Sequence, residues 1–261
     1  MIERESGDVT ELLDVSISRM DVLDLLRTGP LRRAELESDL GVSKTTAHRI
    51  VRALSDHGLV ERTVEGYALT PFGQVAAEEV VRTRRTFEAA DALRPFLDAI
   101  AAVPFDLDVS QFADAVVTTA RPTDPYPPVA RFMELLAGSS TLRGFDTTTI
   151  APIFVDDIRR EILGGMEVSV VYLPDTAAQI ADAHPEELAD SMASGNVELF
   201  TSESLPFGLA LFDDRIGIGA YDTGTGMLTT FVDTDDPDAI EWGKALYEHY
   251  REDAEPFEPR V

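Results

Sequence analysis

The chain has 261 residues, 44% of them hydrophobic, and a formal net charge of −26 from 48 acidic and 22 basic residues. This length and apolar content suit one large or two ordinary folded domains and exclude a disordered acidic chain. The absence of cysteine excludes disulfides, thiol redox switches and thiolate metal sites. Only Lys44 and Lys244 are lysines, and the other basic residues are arginines. A lysine-poor, acidic surface fits a halophilic cytoplasm, where salt screens self-repulsion within a Debye length of roughly 3 Å. The opening MIERESGDVTELLDV lacks an apolar signal region, and no run approaches the ~20 apolar residues of a membrane span. A cytoplasmic location with no membrane partner is therefore expected.

In chain order, residues 1–17 read as a polar lead-in. In SRMDVLDLLRTG, residues 18–29, Met20, Leu23 and Leu26 fall at helical spacing, and Gly29-Pro30 stops the element. A second helix, RRAELESDLG, ends at Gly41, which can supply the positive φ of a tight turn. Ser43 can then cap a third helix. In that helix Ala47, Ile50, Val51 and Leu54 form one apolar face. The opposite stripe holds Thr45, Arg49 and Arg52, with His48 at its edge and Lys44 at its start. Arginine can bond a guanine edge through two donors, and threonine can meet a base or a thymine methyl. GLVERTVEGYALT then reads as a two-stranded wing with Glu65-Gly66 at its tip and Arg62 near a DNA backbone. The expected DNA-contacting set is Arg32, Arg33, Ser43, Lys44, Thr45, Thr46, His48, Arg49, Arg52 and Arg62. The alternative for the same pattern is a three-helix packing module that docks protein through a solvated basic stripe.

Between Ser18 and Phe72, eight basic residues balance eight acidic ones, so this segment is neutral and the remainder carries the whole negative charge. Counterion release contributes little at high salt, so a DNA reader of this kind leans on base-edge contacts and a paired site. Residues 71–103 read as a long helical stretch interrupted near Pro95. Within it Phe72, Val75, Ala76, Val80, Thr83, Phe87 and Ala90 fall close to one stripe, which fits a homodimer helix.

Downstream, DAVVTTA is strand-like, followed by the proline-rich RPTDPYPP. RFMELLAG, IAPIFVDDIRREILGG and PEELADSMASG read as helices, between the strand-like TLRGFDT, MEVSVVYLP and NVELFTS. Three more strand-like runs, FGLALFDD, RIGIGAYDT and MLTTFVDT, precede a closing helix, DDPDAIEWGKALYEHYRE. Such alternation predicts a helix-flanked sheet with a meander at its end. The expected fold is α/β (α+β): a winged helix-turn-helix at 1–70, a linker or dimerisation helix at 71–103, and a mixed-sheet effector-type domain at 104–261. In open α/β sheets ligands collect at the carboxyl ends of strands. Thr147, Thr148, Tyr172, Ser202, Tyr221 and Asp222 are the candidate effector residues, beside Asp146 and Thr149. They offer hydroxyls, phenols and carboxylates and no basic cluster, favouring a neutral polar or cationic ligand.

The stretch from SRMDVLDLLRTG to EGYALTPFG resembles the winged helix-turn-helix of haloarchaeal transcriptional regulators. VPFDLDVSQFADAVVTTARPTDPYPPVARFMELL and the closing ALFDDRIGIGAYDT to YREDAEP are similar to the effector-type domain of archaeal methanogenesis-regulator-type transcription factors. This resemblance covers nearly the whole chain. It implies a regulator with double-stranded DNA and a small-molecule effector as partners, and a C-terminal domain of phospholipase-D-like fold. Catalytic members of that fold need a histidine nucleophile in an H-x-K pair. Here Phe207 and Leu209 stand at those places, and none of His48, His57, His184 and His249 begins such a pair. The expectation is no enzyme, no cofactor and no metal, with a degenerate hydrolase as the alternative. The acid pairs Asp156-Asp157, Asp213-Asp214 and Asp235-Asp236 read as solvated turns and caps.

Overall fold

The computed structural model describes residues 6–148, 154–222 and 224–258. It contains two compact units, Met1–Phe87 and Glu88–Val261, whose boundary falls inside a long helix.

The first unit begins with α1 (Ser6–Ser18), followed by α2 (Met20–Arg27), α3 (Arg33–Asp39), α4 (Lys44–Asp56), β1 (Val60–Arg62), β2 (Tyr67–Leu69) and the start of α5 (Pro71–Ala92). The polar lead-in expected at residues 1–17 is thus corrected: Leu12 and Val15 of α1 pack against the core and Ser16 is buried. Alternating acids masked this inner face, and Val9, Leu13 and Ile17 form a second, exposed apolar stripe on the same helix. The core joins Leu23 and Leu26 of α2, Leu36 of α3, Ile50, Val51 and Leu54 of α4, Leu59, Leu69, and Ala77 and Val80 of α5. Val80, expected on a dimer stripe, therefore faces its own core, whereas Phe72, Val75 and Phe87 are exposed.

The second unit holds the end of α5, a 3-10 turn at Arg94–Phe96, α6 (Leu97–Ile100), a 3-10 turn at Val109–Phe112, β3 (Val116–Thr119), α7 (Pro127–Ala137), β4 (Thr141–Asp146), α8 (Val155–Leu163) and β5 (Glu167–Tyr172). It continues with α9 (Pro174–Ala183), α10 (Pro185–Ala193), β6 (Val197–Thr201), β7 (Gly208–Leu211), β8 (Ile216–Tyr221), β9 (Leu228–Thr234), α11 (Pro237–Glu252) and β10 (Glu255–Pro256). α9 and β10 have no counterpart among the elements expected from the sequence. Residues 149–153, which include Thr149 and the start of the expected IAPIFVDD helix, lie outside the described residues.

Eight strands form one mixed sheet in the order β10-β6-β5-β4-β7-β8-β9-β3. β4, β5 and β6 are parallel neighbours, and β7, β8 and β9 form the antiparallel meander. The meander lies inside the sheet, between β4 and β3. Side-chain alternation along each strand builds a core on either face. Phe145, Val171, Leu209, Leu211, Ile216 and Ile218 meet Trp242, Leu246 and Tyr247 of α11 on one face. Leu142, Val168, Val170, Leu199, Ala210 and Phe231 meet Leu136, Ile162 and Leu188 of the helices on the other. Asp233 is fully buried in β9 and is clamped by Arg131 Nε at 3.0 Å, Arg131 Nη2 at 2.9 Å and Arg215 Nε at 2.8 Å.

Candidate nucleic-acid interface and ligand cavity

In the first unit, the turn between α3 and α4 passes through Gly41 at φ +61°, which a side chain would disfavour. Ser43 then takes the N-cap: its hydroxyl accepts the Thr46 N–H at 3.3 Å, a cap worth about 1 kcal/mol. Ala47, Ile50, Val51 and Leu54 are buried as their spacing requires, which turns Lys44, Thr45, His48, Arg49 and Arg52 outward. Arg32 and Arg33 are also exposed at the start of α3. Arg32 N–H donates to Glu35 at 2.6 Å, and the Arg33 guanidinium pairs with Glu37 at 3.1 Å. Arg52 sits 3.8 Å from Asp56. Among the described residues Lys44, Arg49 and Arg62 have no ion-pair partner, so their charges face solvent.

The wing is a short antiparallel ribbon in which Val60 pairs with Leu69 and Arg62 with Tyr67. Its tip closes through the Thr63 N–H donating to the Gly66 carbonyl at 2.7 Å. Leu31 bonds Tyr67 in both directions, at 3.0 and 2.8 Å, adding a third short segment beside the wing. The ten expected contact residues thus fall on α3, on α4 and its cap, and on the wing. Thr46 is half-buried, with its hydroxyl 3.0 Å from that of Ser43, so it serves the cap.

In the second unit, a cavity of about 390 Å³ lies between the sheet and helices α7, α8 and α10. Thr148, Tyr172 and Tyr221 of the expected effector set line it, and Thr147 and Asp222 line a neighbouring recess that Thr148 and Tyr221 share. Ser202 lines neither and donates to the Ser204 carbonyl at 3.3 Å. The Asp222 carboxylate accepts the Gly224 and Thr225 N–H groups at 3.1 and 2.8 Å. The Thr225 hydroxyl, then these N–H groups, hold its carboxyl below the ordinary carboxylate value.

Asp146, which the sequence places only beside the effector candidates, is the centre of the cavity's polar end. It ends β4, in register with Tyr172 on β5. Tyr221 reaches it from β8 across the intervening β7, and its hydroxyl donates to Asp146 Oδ2 at 2.7 Å. That crossing needs glycine beneath the ring: a Cβ on Gly208 would stand 2.8 Å from the Tyr221 hydroxyl, and one on Gly219 would stand 3.2 Å from it. Thr148 N–H donates to Asp146 Oδ1 at 3.2 Å. Burial raises the Asp146 carboxyl from 3.8 to about 6, against the lowering influence of the Tyr221 hydroxyl and the Thr148 and Thr147 N–H groups. Burial first, and the Asp146 charge second, push the Tyr172 and Tyr221 hydroxyls upward, so both stay protonated donors. The glycines opposite a strand-end aspartate were the available signal, but only the strand order makes them neighbours.

Phe207 and Leu209 are buried in the apolar core on the sheet face toward α11. Among the described residues no group of three or more histidines and acids is placed to hold a metal ion. No helix among the described residues is long and apolar enough to cross a membrane.

Residues 125–253 match the family model described as Methanogenesis regulatory protein FilR1, middle domain, and residues 7–92 match that described as HVO_A0261 N-terminal domain. The chain is 22% identical over 269 residues to the Methanogenesis regulatory protein FilR1 of Methanothrix harundinacea (strain 6Ac), covering 96% of this chain. It spans 58% of the length of that curated relative. Among solved structures it is similar to TrmBL2, an archaeal chromatin protein, with a TM-score of 0.45 and 17% identity over 92% of this chain and 93% of that one. It is also similar to Nuc, a phospholipase D family member from Salmonella typhimurium, with a TM-score of 0.43 and 12% identity over 55% of this chain and 98% of that one.

Proposed function

We propose that this chain is a sequence-specific, DNA-binding transcriptional regulator that acts as a homodimer in the cytoplasm. The observation that carries this reading is the outward face of α4. Lys44, Thr45, His48 and Arg49 stand clear of the core behind a capped N-terminus, and the Lys44 and Arg49 charges are unspent among the described residues. In a helix-turn-helix the N-terminal part of the second helix enters the major groove. There Arg49 would read a guanine edge and Thr45 a base or a thymine methyl, while Arg62 on the wing would meet the phosphate backbone. Arg33 and Arg52, already paired to acids, play the smaller part.

The net charge of −26 is compatible with this because the acids lie mostly outside the reading segment. Non-specific attraction to phosphate is then weak, and base contacts carry more of the affinity. Two exposed apolar stripes support pairing of two copies: Val9, Leu13 and Ile17 on α1, and Phe72, Val75 and Phe87 on α5. We read the C-terminal unit as sensory and non-catalytic, since Phe207 and Leu209 offer neither nucleophile nor proton donor.

Genome-wide mapping of bound sites would give the operator, and fluorescence anisotropy on that duplex in molar KCl tests the assignment. Arg49→Ala should lose about 1–3 kcal/mol on the operator and relax specificity at one base pair. Arg62→Ala should weaken binding evenly across sequences. Wild-type affinity in the Arg49→Ala protein would overturn the placement of α4 in the groove.

A further inference from the structure

Protein cores contain few voids larger than a water molecule, and a cavity of about 390 Å³ falls in the size range of small-molecule sites. Its floor is the sheet face of Leu142, Val168, Val170 and Leu199, kept low by Gly144, Gly208 and Gly219. Its helical wall includes Phe132 and Ile158. At the strand ends this apolar lining gives way to Asp146, Tyr172 and Tyr221. We propose that the cavity binds a small amphiphilic amine, with its apolar body between the sheet and helices α7, α8 and α10 and its protonated nitrogen on the Asp146 carboxylate.

The acceptor capacity of Asp146 is only partly used. A carboxylate offers roughly four lone-pair sites, and the Tyr221 hydroxyl and the Thr148 and Thr147 N–H groups turn toward three of them. Among the described residues no cation pairs with it. Tyr172 and Tyr221 are neutral, so the strand-end group lacks a positive charge. The other titratable side chains on the cavity wall are Tyr126, Arg159, His184 and Glu187. Arg159 is already paired with Asp190, so an anionic ligand meets no uncompensated cation there. Its buried Nε has no hydrogen-bond partner among the described residues and could meet a neutral acceptor, such as an ether oxygen, on the ligand body. A half-buried carboxylate facing an apolar chamber is complementary to an ammonium group, because a charge taken from water needs an opposite charge in return.

This proposal stands apart from DNA binding, since it is tested on the full chain without DNA. Isothermal titration calorimetry at about pH 7.5, with octylamine, octanol and octanoate as probes, separates the head groups on one apolar tail. Octylamine should bind one per chain, at least about tenfold tighter than octanol, and octanoate should not bind. At about pH 5, where Asp146 is about one-tenth ionised given its value of about 6, octylamine affinity should fall roughly tenfold while that of octanol stays level. Asp146→Asn should reduce octylamine to the octanol level, and Ala210→Phe, which fills the cavity floor, should abolish both, each in a chain whose melting curve shows it folded. Octanoate binding as tightly as octylamine, unchanged octylamine affinity in Asp146→Asn, or no binding by any probe would overturn the proposal.

Discussion

Replacing Asp146 by asparagine tests whether the strand-end carboxylate carries a desolvation cost that the fold by itself does not recover. The carboxyl value is about 6 in the folded chain against 3.8 as a free side chain, so the folded state holds the proton more tightly between those values. Stability at this site therefore falls as pH rises from about 4 to about 6, and the full deficit persists at neutral pH. The rise from 3.8 to about 6 corresponds to about 3 kcal/mol. Asparagine keeps an oxygen for the Tyr221 hydroxyl and carries no charge, so it escapes the pH-dependent deficit, at a pH-independent cost from setting its amide NH2 against the Thr148 N–H. Equilibrium denaturation of both proteins, followed from about pH 4 to about pH 7.5 in constant salt, cancels every other titrating group in the difference. That difference should shift by about 2.4 kcal/mol in favour of Asp146→Asn across the interval. A difference that stays flat with pH would refute the assignment of a half-buried carboxylate with no cationic partner among the described residues.

Asp233→Ala should cost about 2–5 kcal/mol in the same denaturation assay, because it removes three charge-assisted hydrogen bonds at a fully buried position and leaves Arg131 with Glu134 and Arg215 with Asp235 alone. The 40 acids outside Ser18–Phe72 repel one another when unscreened, so the melting temperature should climb between ~0.1 M and ~2 M KCl; a flat melting curve counts against a halophilic surface. Phe87→Glu should give a folded monomer with lost operator affinity, since Phe87 is 73% exposed on α5. Light scattering at high salt decides this, and a wild-type mass near one chain at micromolar concentration would rule out the dimer.

The first unit was legible in the sequence because its signals are local. Ser43, the apolar spacing of α4 and the turn at Gly41 each act within a few residues, and the structure places α4 at Lys44–Asp56 with the predicted buried face. The strands of the second unit other than β10 were legible for the same reason, since alternation is a property of neighbours along the chain. α1 escaped because its inner residues, Leu12 and Val15, are recognisable as core only once α2 and α4 supply the other side. The α5 stripe was divided for a related reason: helical periodicity shows that Val80 and Phe87 are both apolar, while packing alone decides that Val80 enters the core and Phe87 does not. Asp146, Tyr221 and Gly208 are far apart in sequence, and only the strand order β4-β7-β8 lays the tyrosine over the glycine and onto the carboxylate. The sequence by itself determined which segments become helices and strands and which face of α4 is polar, because those depend on the 3.6- and 2-residue periods of one chain segment. Tertiary structure alone decided the cavity and its single strand-end charge, because a void and a desolvated group are properties of the space between elements.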